Sequence, residues 1–232
     1  MGKIKIVLII ILLVAGIGIM LYPAYSKKKT ADKQEVMMTD LKKKIEENKN
    51  SKKDNNVPNS DNAVNSKKNT YDPDLVREEV KKLEIEENEK NVNNSNSDEL
   101  LKNQQVIGII NIPTIDIEFP IVEGSNRANI AVAIGHMKGT SVLGGEGNCV
   151  LAGHHGGIYG VFFKNLEKLK KDDKVVLTDE YGKSYTYKVS KSFKVKPTDV
   201  YVTDNLEGYN LTLITCQDNG KNRLVVRCIL DN

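Results

Sequence analysis

The sequence predicts a mainly β domain, a closed or nearly closed β-barrel of seven or eight short strands with short helices, behind one N-terminal apolar helix. Two observations carry this. Residues 106–112, 115–122, 148–152, 174–178, 184–195, 209–216 and 223–230 are short β-prone runs. Pro113, Gly124, Gly144-Gly145, Gly147, Gly156-Gly157 and Asn219-Gly220 punctuate them. Short strands at this spacing, broken by turn residues, indicate a barrel. The other observation lies at the N-terminus, where residues 6–22 are an unbroken run of apolar or small residues.

That run has the length expected of a membrane-spanning helix, which needs about 17–25 residues, and exceeds the roughly 7–15-residue core of a cleaved signal peptide. Lys3 and Lys5 precede it; Pro23 and Lys27-Lys28-Lys29 follow. Ala24-Tyr25-Ser26 offers small residues at cleavage-like positions, so removal stays open. Residues 1–26 are therefore read as a membrane anchor. Lysines flank both sides, so the positive-inside rule does not orient the anchor.

Residues 27–103 change composition abruptly to Lys, Glu, Asn, Asp and Ser. They read as a polar linker, flexible over residues 50–69 and helical in two places. Residues 34–47 set Met38, Leu41 and Ile45 at helical spacing. Residues 74–89 do the same with Leu75, Val76, Val80 and Leu83, with Asp72 as a cap and Pro73 in the first turn. A spacer holding a domain off a membrane fits this position. The compact domain occupies residues 104–232, enough for one core. Two helical insertions are expected in it, 127–134 and 162–170.

Net charge is +3 from 34 Lys and Arg against 31 Asp and Glu, with no concentrated basic face, so nucleic acid is not an expected partner. The three cysteines, Cys149, Cys216 and Cys228, form no zinc-spaced cluster, and no metal or cofactor is expected. A Cys149–Cys228 disulfide remains open, but buried thiols packed as small apolar groups are the favoured reading.

The chemistry gathers at the C-terminal hairpin. Thr212-Leu213-Ile214-Thr215-Cys216 ends a strand with a thiol, and Arg223 opens the next strand. Only three histidines exist, and His154 follows Cys149-Val150-Leu151-Ala152-Gly153, where another strand stops at a glycine. A thiol nucleophile needs a proton partner, which imidazole supplies. A guanidinium that stays charged stabilises an oxyanion. Taken singly, a strand cysteine is more often packing, and a strand arginine more often a solvated face.

The full pattern of Gly153-His154, Thr212-Leu213-Ile214-Thr215-Cys216 and Arg223-Leu224-Val225-Val226 closely resembles the sortases of Gram-positive bacteria, over residues 106–230. Gly135-His136, Gly139-Thr140 and the stretch from Gly145 to Asn148 agree. The resemblance implies a membrane-anchored cysteine transpeptidase with a sortase-type barrel. Cys216 attacks the Thr carbonyl of an LPxTG-like sorting signal. His154 acts as acid and base, and Arg223 stabilises the oxyanion or positions substrate. The amine of a lipid-linked peptidoglycan precursor resolves the thioacyl enzyme. It also implies a cytoplasmic N-terminus and an extracellular catalytic domain. The apparent lack of a second hydrophobic segment after Leu230, and the short 192–209 span, point to a class D or class A-like member.

His155 is expected to be dispensable, His136 to line the pocket or hold a loop, and Asp218 to be a solvated turn residue. With near-reference pKa values for His and Cys, a bell-shaped pH dependence is expected. The rival readings are a hydrolytic cysteine peptidase on the same fold and a non-catalytic surface-binding barrel.

Overall fold

A computed structural model describes residues 2–51, 71–88, 104–156, 162–217 and 220–231. The expectations for residues 52–69, and for Gly157, Asp218 and Asn219, lie outside them. Eight strands close into a barrel: β1 (Val106–Ile112), β2 (Ile117–Glu123), β3 (Ile134–His136), β4 (Gly147–Ala152), β5 (Lys174–Asp179), β6 (Ser184–Val195), β7 (Tyr209–Gln217) and β8 (Asn222–Leu230). Their order round the barrel is β1-β2-β3-β4-β7-β8-β6-β5. β2 with β3 and β4 with β7 are parallel pairs; the other neighbours are antiparallel.

Alternation decides what each strand buries. Cys149 and Leu151 of β4, Leu211 and Leu213 of β7, and Leu224, Val226 and Cys228 of β8 point into the main core with Ile110, Ile121, Ile134 and Leu177. The opposite face of the same strands carries Val150, Ile214 and Val225 in a second apolar cluster outside the barrel. Helix α2 (Pro73–Asn88) covers that face, burying Val76 and Val80 in the cluster. Asp72 caps α2 by accepting the backbone N–H of Asp74 and Leu75, at 3.0 and 3.1 Å, ahead of Pro73 in the first turn. The buried Glu79 carboxylate accepts both the backbone N–H and the hydroxyl of Ser125, at 3.0 and 2.9 Å.

Helix α1 (Gly2–Ser51) includes the whole apolar run and continues through Pro23. Its apolar part is long and apolar enough to cross a membrane, with mean hydropathy 2.8 over its best window and none of that window buried. Its polar half lies on the barrel instead of standing clear of it. Leu41 and Ile45 pack on Ile109 of β1, and Met37 packs by Val122, Val132 and Ala133. Lys42 pairs with Glu118 and Lys44 with Glu180, at 2.8 and 2.7 Å.

Three local expectations need correction. The second strand starts at Ile117, not residue 115. Pro113 instead opens a 3-10 turn, Pro113–Ile115, which Asp116 ends in the left-handed region with φ 52. The helix expected over 127–134 is the single turn α3 (Arg127–Ile130), and residues 134–136 form β3. The Asn129 carbonyl takes the N–H groups of both Val132 and Ala133, which ends the helix. The Asn129 amide donates to the carbonyls of Glu123 and Gly124, pinning the turn to β2. Residues 162–170 are turns around one 3-10 turn, Leu166–Lys168. Phe163, Leu166 and Leu169 are all buried, and their three-residue spacing suits the 3-10 period.

Candidate active site

The β7–β8 ladder pairs Cys216 directly with Arg223, Ile214 with Val225, and Thr212 with Arg227. Thiol and guanidinium thus share the outer face, beside each other at one end of the hairpin. Arg223 is buried and also stands opposite Val195 of β6, while Cys216 is half-buried.

β4 brings the imidazole. Its parallel register with β7 ends at Ala152 opposite Ile214, and the Gly153 N–H donates to the Ile214 carbonyl at 3.1 Å. His154 follows two residues beyond that last pair, at the end of the sheet where Cys216 lies two residues beyond Ile214. Gly153 is required here: a Cβ would meet Ile134 Cδ1 at 2.7 Å and Phe163 Cδ2 at 2.8 Å. The His154 carbonyl accepts the Phe163 N–H at 2.9 Å, and its ring lies 6.3 Å from that of Phe162.

Burial first, and the charge of Arg127 second, lower the His154 pKa to about 4. This corrects the near-reference expectation for the imidazole. The resting ring is therefore neutral at neutral pH, with a lone pair open to a proton. Cys149 and Cys228 are free thiols, not a disulfide. Both pair with Leu211 from opposite sides, so two strand spacings, about 9.6 Å, separate them, beyond disulfide reach. Burial pushes the Cys228 thiol up to about 12, consistent with an inert packing group.

One polar grouping beside the site was missed in the sequence, and a second surrounds His136, which was expected to line the pocket or hold a loop. The Thr212 hydroxyl donates to Asn148 Oδ1 at 2.6 Å and accepts from Arg227 at 2.8 Å. Asn148 Nδ2 donates to the carbonyls of Val202 and Asp204. This buried chain ties β4, β7 and β8 together on the face that carries Cys216 and Arg223. The signal was present: once Cys216 faces Arg223, counting back along the hairpin sets Thr212 against Arg227.

The other grouping is His136. Its Nδ1 lies 3.0 Å from the Glu123 carboxylate and its Nε2 lies 2.9 Å from the Ser141 carbonyl. The Thr140 hydroxyl donates to the Met137 carbonyl at 2.6 Å, so towards Nε2 it acts as an acceptor. Both ring nitrogens therefore face acceptors, and the ring is an imidazolium. Burial pulls its pKa down, but the Cys149 and Glu123 contacts outweigh burial and raise it to about 10. His136 holds the turn from β3 to β4. His155 is half-buried.

The sequence profile of the Sortase domain matches residues 110–231. Sortase A of Streptococcus agalactiae is 38% identical over 137 residues, covering 56% of this chain and 54% of that protein. Sortase D of Bacillus subtilis is 34% identical over 113 residues, covering 48% of this chain and 54% of that protein. The matched region thus spans about half the length of these curated relatives. The structure of Listeria monocytogenes sortase A superposes with a TM-score of 0.51 at 33% identity, covering 55% of this chain and 88% of that one. The chain belongs to the sortase family.

Proposed function

We propose that this chain is a membrane-anchored cysteine transpeptidase. It cleaves an LPxTG-like sorting signal after Thr and joins the surface protein to the amine of a lipid-linked peptidoglycan precursor. The observation that supports this best is the direct pairing of Cys216 with Arg223, with His154 two residues past the end of the adjoining strand β4.

The Cys216 sulfur attacks the Thr carbonyl as its proton passes to the neutral His154 ring. Arg223, its charge fixed beside the sulfur, stabilises the oxyanion. The C–N bond breaks, His154 returns the proton to the leaving amine, and a thioester remains. The incoming amine attacks that thioester, His154 takes its proton, and the thiol is regenerated with a new amide. Peptidase-class hydrolysis is the same path with water as acceptor. Residues 1–26 serve as a single-pass anchor with the N-terminus cytoplasmic, residues 104–232 form the extracellular catalytic domain, and residues 27–103 join them.

The test uses the full chain in detergent with LPxTG-like and NPxTN-like peptides, with and without an added amine. A ligated peptide–amine product that disappears in Cys216→Ala supports transpeptidation. Cleavage without any ligated product favours the hydrolytic peptidase, and peptide binding without cleavage favours a binding barrel.

A further inference from the structure

A linker of 77 flexible residues has a root-mean-square span of about 50 Å and would let the barrel roam above the membrane. The structure contains something different. One helix, α1, carries the apolar run and continues without a break into the segment that docks on the barrel.

The boundary between the two parts is marked by side chains. Tyr22 and Tyr25 are exposed at the end of the apolar run, where aromatic residues sit at a membrane–water interface. Lys27, Lys28 and Lys29 follow one turn later, all exposed, at the level where anionic headgroups attract basic side chains. Thr30 is already buried, at 6% exposure, and Gln34 Nε2 donates to the Val132 carbonyl at 3.0 Å. Twelve helical residues from Tyr22 to Gln34 rise about 18 Å. A domain of this size is about 35 Å across, so one docked at that height reaches down to the headgroups.

The docking also selects which side faces down. From Gln34 onward α1 crosses the strands from β3 towards β5. It touches Val132 and Ala133 just before β3, then Ile109 of β1, then Glu180 after β5. The β3–β4 side is therefore the side nearest the membrane, and the β5–β6 turn is the far side. His154 lies two residues past the end of β4, and its neighbour Gly153 closely approaches Ile134 at the start of β3. The end of β4 that leads to His154 is on the near side, and β7, which carries Cys216, is the next strand round the barrel.

We infer that α1 is a rigid strut that seats the barrel on the anionic lipid surface, with the Cys216, His154 and Arg223 site held close above the headgroups. This rests on the membrane-anchored reading above. It adds that the enzyme works at one fixed height, on acceptors and signals that are themselves embedded in the bilayer.

The experiment uses the full chain in bilayers of phosphatidylcholine with a minor share of phosphatidylglycerol, with vesicle flotation, neutron reflectometry and two turnover assays. One peptide substrate is soluble; the other is tethered to lipid by a short spacer. A two-turn alanine-rich insertion after Ser26 lengthens the helix by about 10 Å. A second variant replaces residues 24–29 with Gly and Ser.

In the unaltered chain, protein density should begin at the headgroup layer. The insertion should open a gap of the added length, and the Gly-Ser variant should broaden the profile. Both variants should keep soluble-peptide turnover, which also shows that they fold. The insertion should cut lipid-tethered turnover on the order of tenfold, as effective concentration at the site falls. A chain that fails to float with vesicles overturns the anchor and the strut together. A chain that floats, but whose density stands clear of the headgroups or ignores the insertion, overturns the strut alone.

Discussion

The His136–Glu123 pair makes the strongest test of the structure away from the site. The perturbation is pH, compared between the unaltered protein and His136→Gln. In the fold, His136 binds its proton up to about pH 10; in the unfolded chain histidine titrates near 6.5. The folded pKa is the higher one, so the stabilisation is fully present below about pH 6.5 and is lost as pH rises through about 10. At about 1.4 kcal/mol per pKa unit, the full shift corresponds to about 5 kcal/mol. That is an upper bound, because the Glu123 side chain is 32% exposed and water screens its charge. About 2–3 kcal/mol is the expected contribution, a large share of the roughly 5–15 kcal/mol that holds a domain folded. The assay is urea unfolding of both proteins across that pH range, with the m-value checked for constancy. The unaltered protein should lead at low pH, and its lead should shrink steadily towards pH 10. A lead that stays constant with pH, or grows, would refute the imidazolium assignment.

Removing the nearby cation by Arg127→Gln should raise the His154 pKa only in part, because burial is the larger cause; NMR titration of the His154 ring is the check, and an unmoved midpoint excludes Arg127 as a contributor. Because that pKa is low, the acid limb of the pH–rate profile should lie well below pH 6, and a limb at 6.5 would contradict the neutral ring. Arg223→Lys should cut turnover at least about tenfold, since an ammonium cannot reproduce the guanidinium fork; near-normal turnover would remove Arg223 from the mechanism. Thr212→Val should cost about 1–3 kcal/mol in unfolding free energy by stranding Asn148 and Arg227, and a neutral result would make the chain between them dispensable.

The barrel was legible because strand alternation and glycine punctuation are local signals. The seven strands read from the sequence all exist, with ends displaced by two residues at most. β3 was missed because three residues are too few to show alternation, and because Arg127 and Ile130 suggested a longer helix. Asn129 sits at that turn, its amide donating back to the end of β2 at Glu123 and Gly124 while its carbonyl takes the N–H groups of Val132 and Ala133. The pairing of Cys216 with Arg223 was suggested by the hairpin but awaited its register. The pairing of β4 with β7, which brings the end of the His154 strand to the Cys216 strand, was less accessible, since the two are parallel neighbours separated by two other strands in sequence. Long-range pairing leaves no local trace. For the same reason nothing local showed that Lys42 and Lys44 meet Glu118 and Glu180 on the barrel.

The parallel β4–β7 junction has a further consequence during synthesis. His154 is made well before Cys216, and β5 and β6 must take their places on the far side of the sheet before the barrel can close. Contacts this distant in sequence form late in folding. Until they form, the chain carries a thiol with no base beside it. Under the proposed mechanism a partly folded chain lacks its base, so thiol chemistry waits until the last strands have joined.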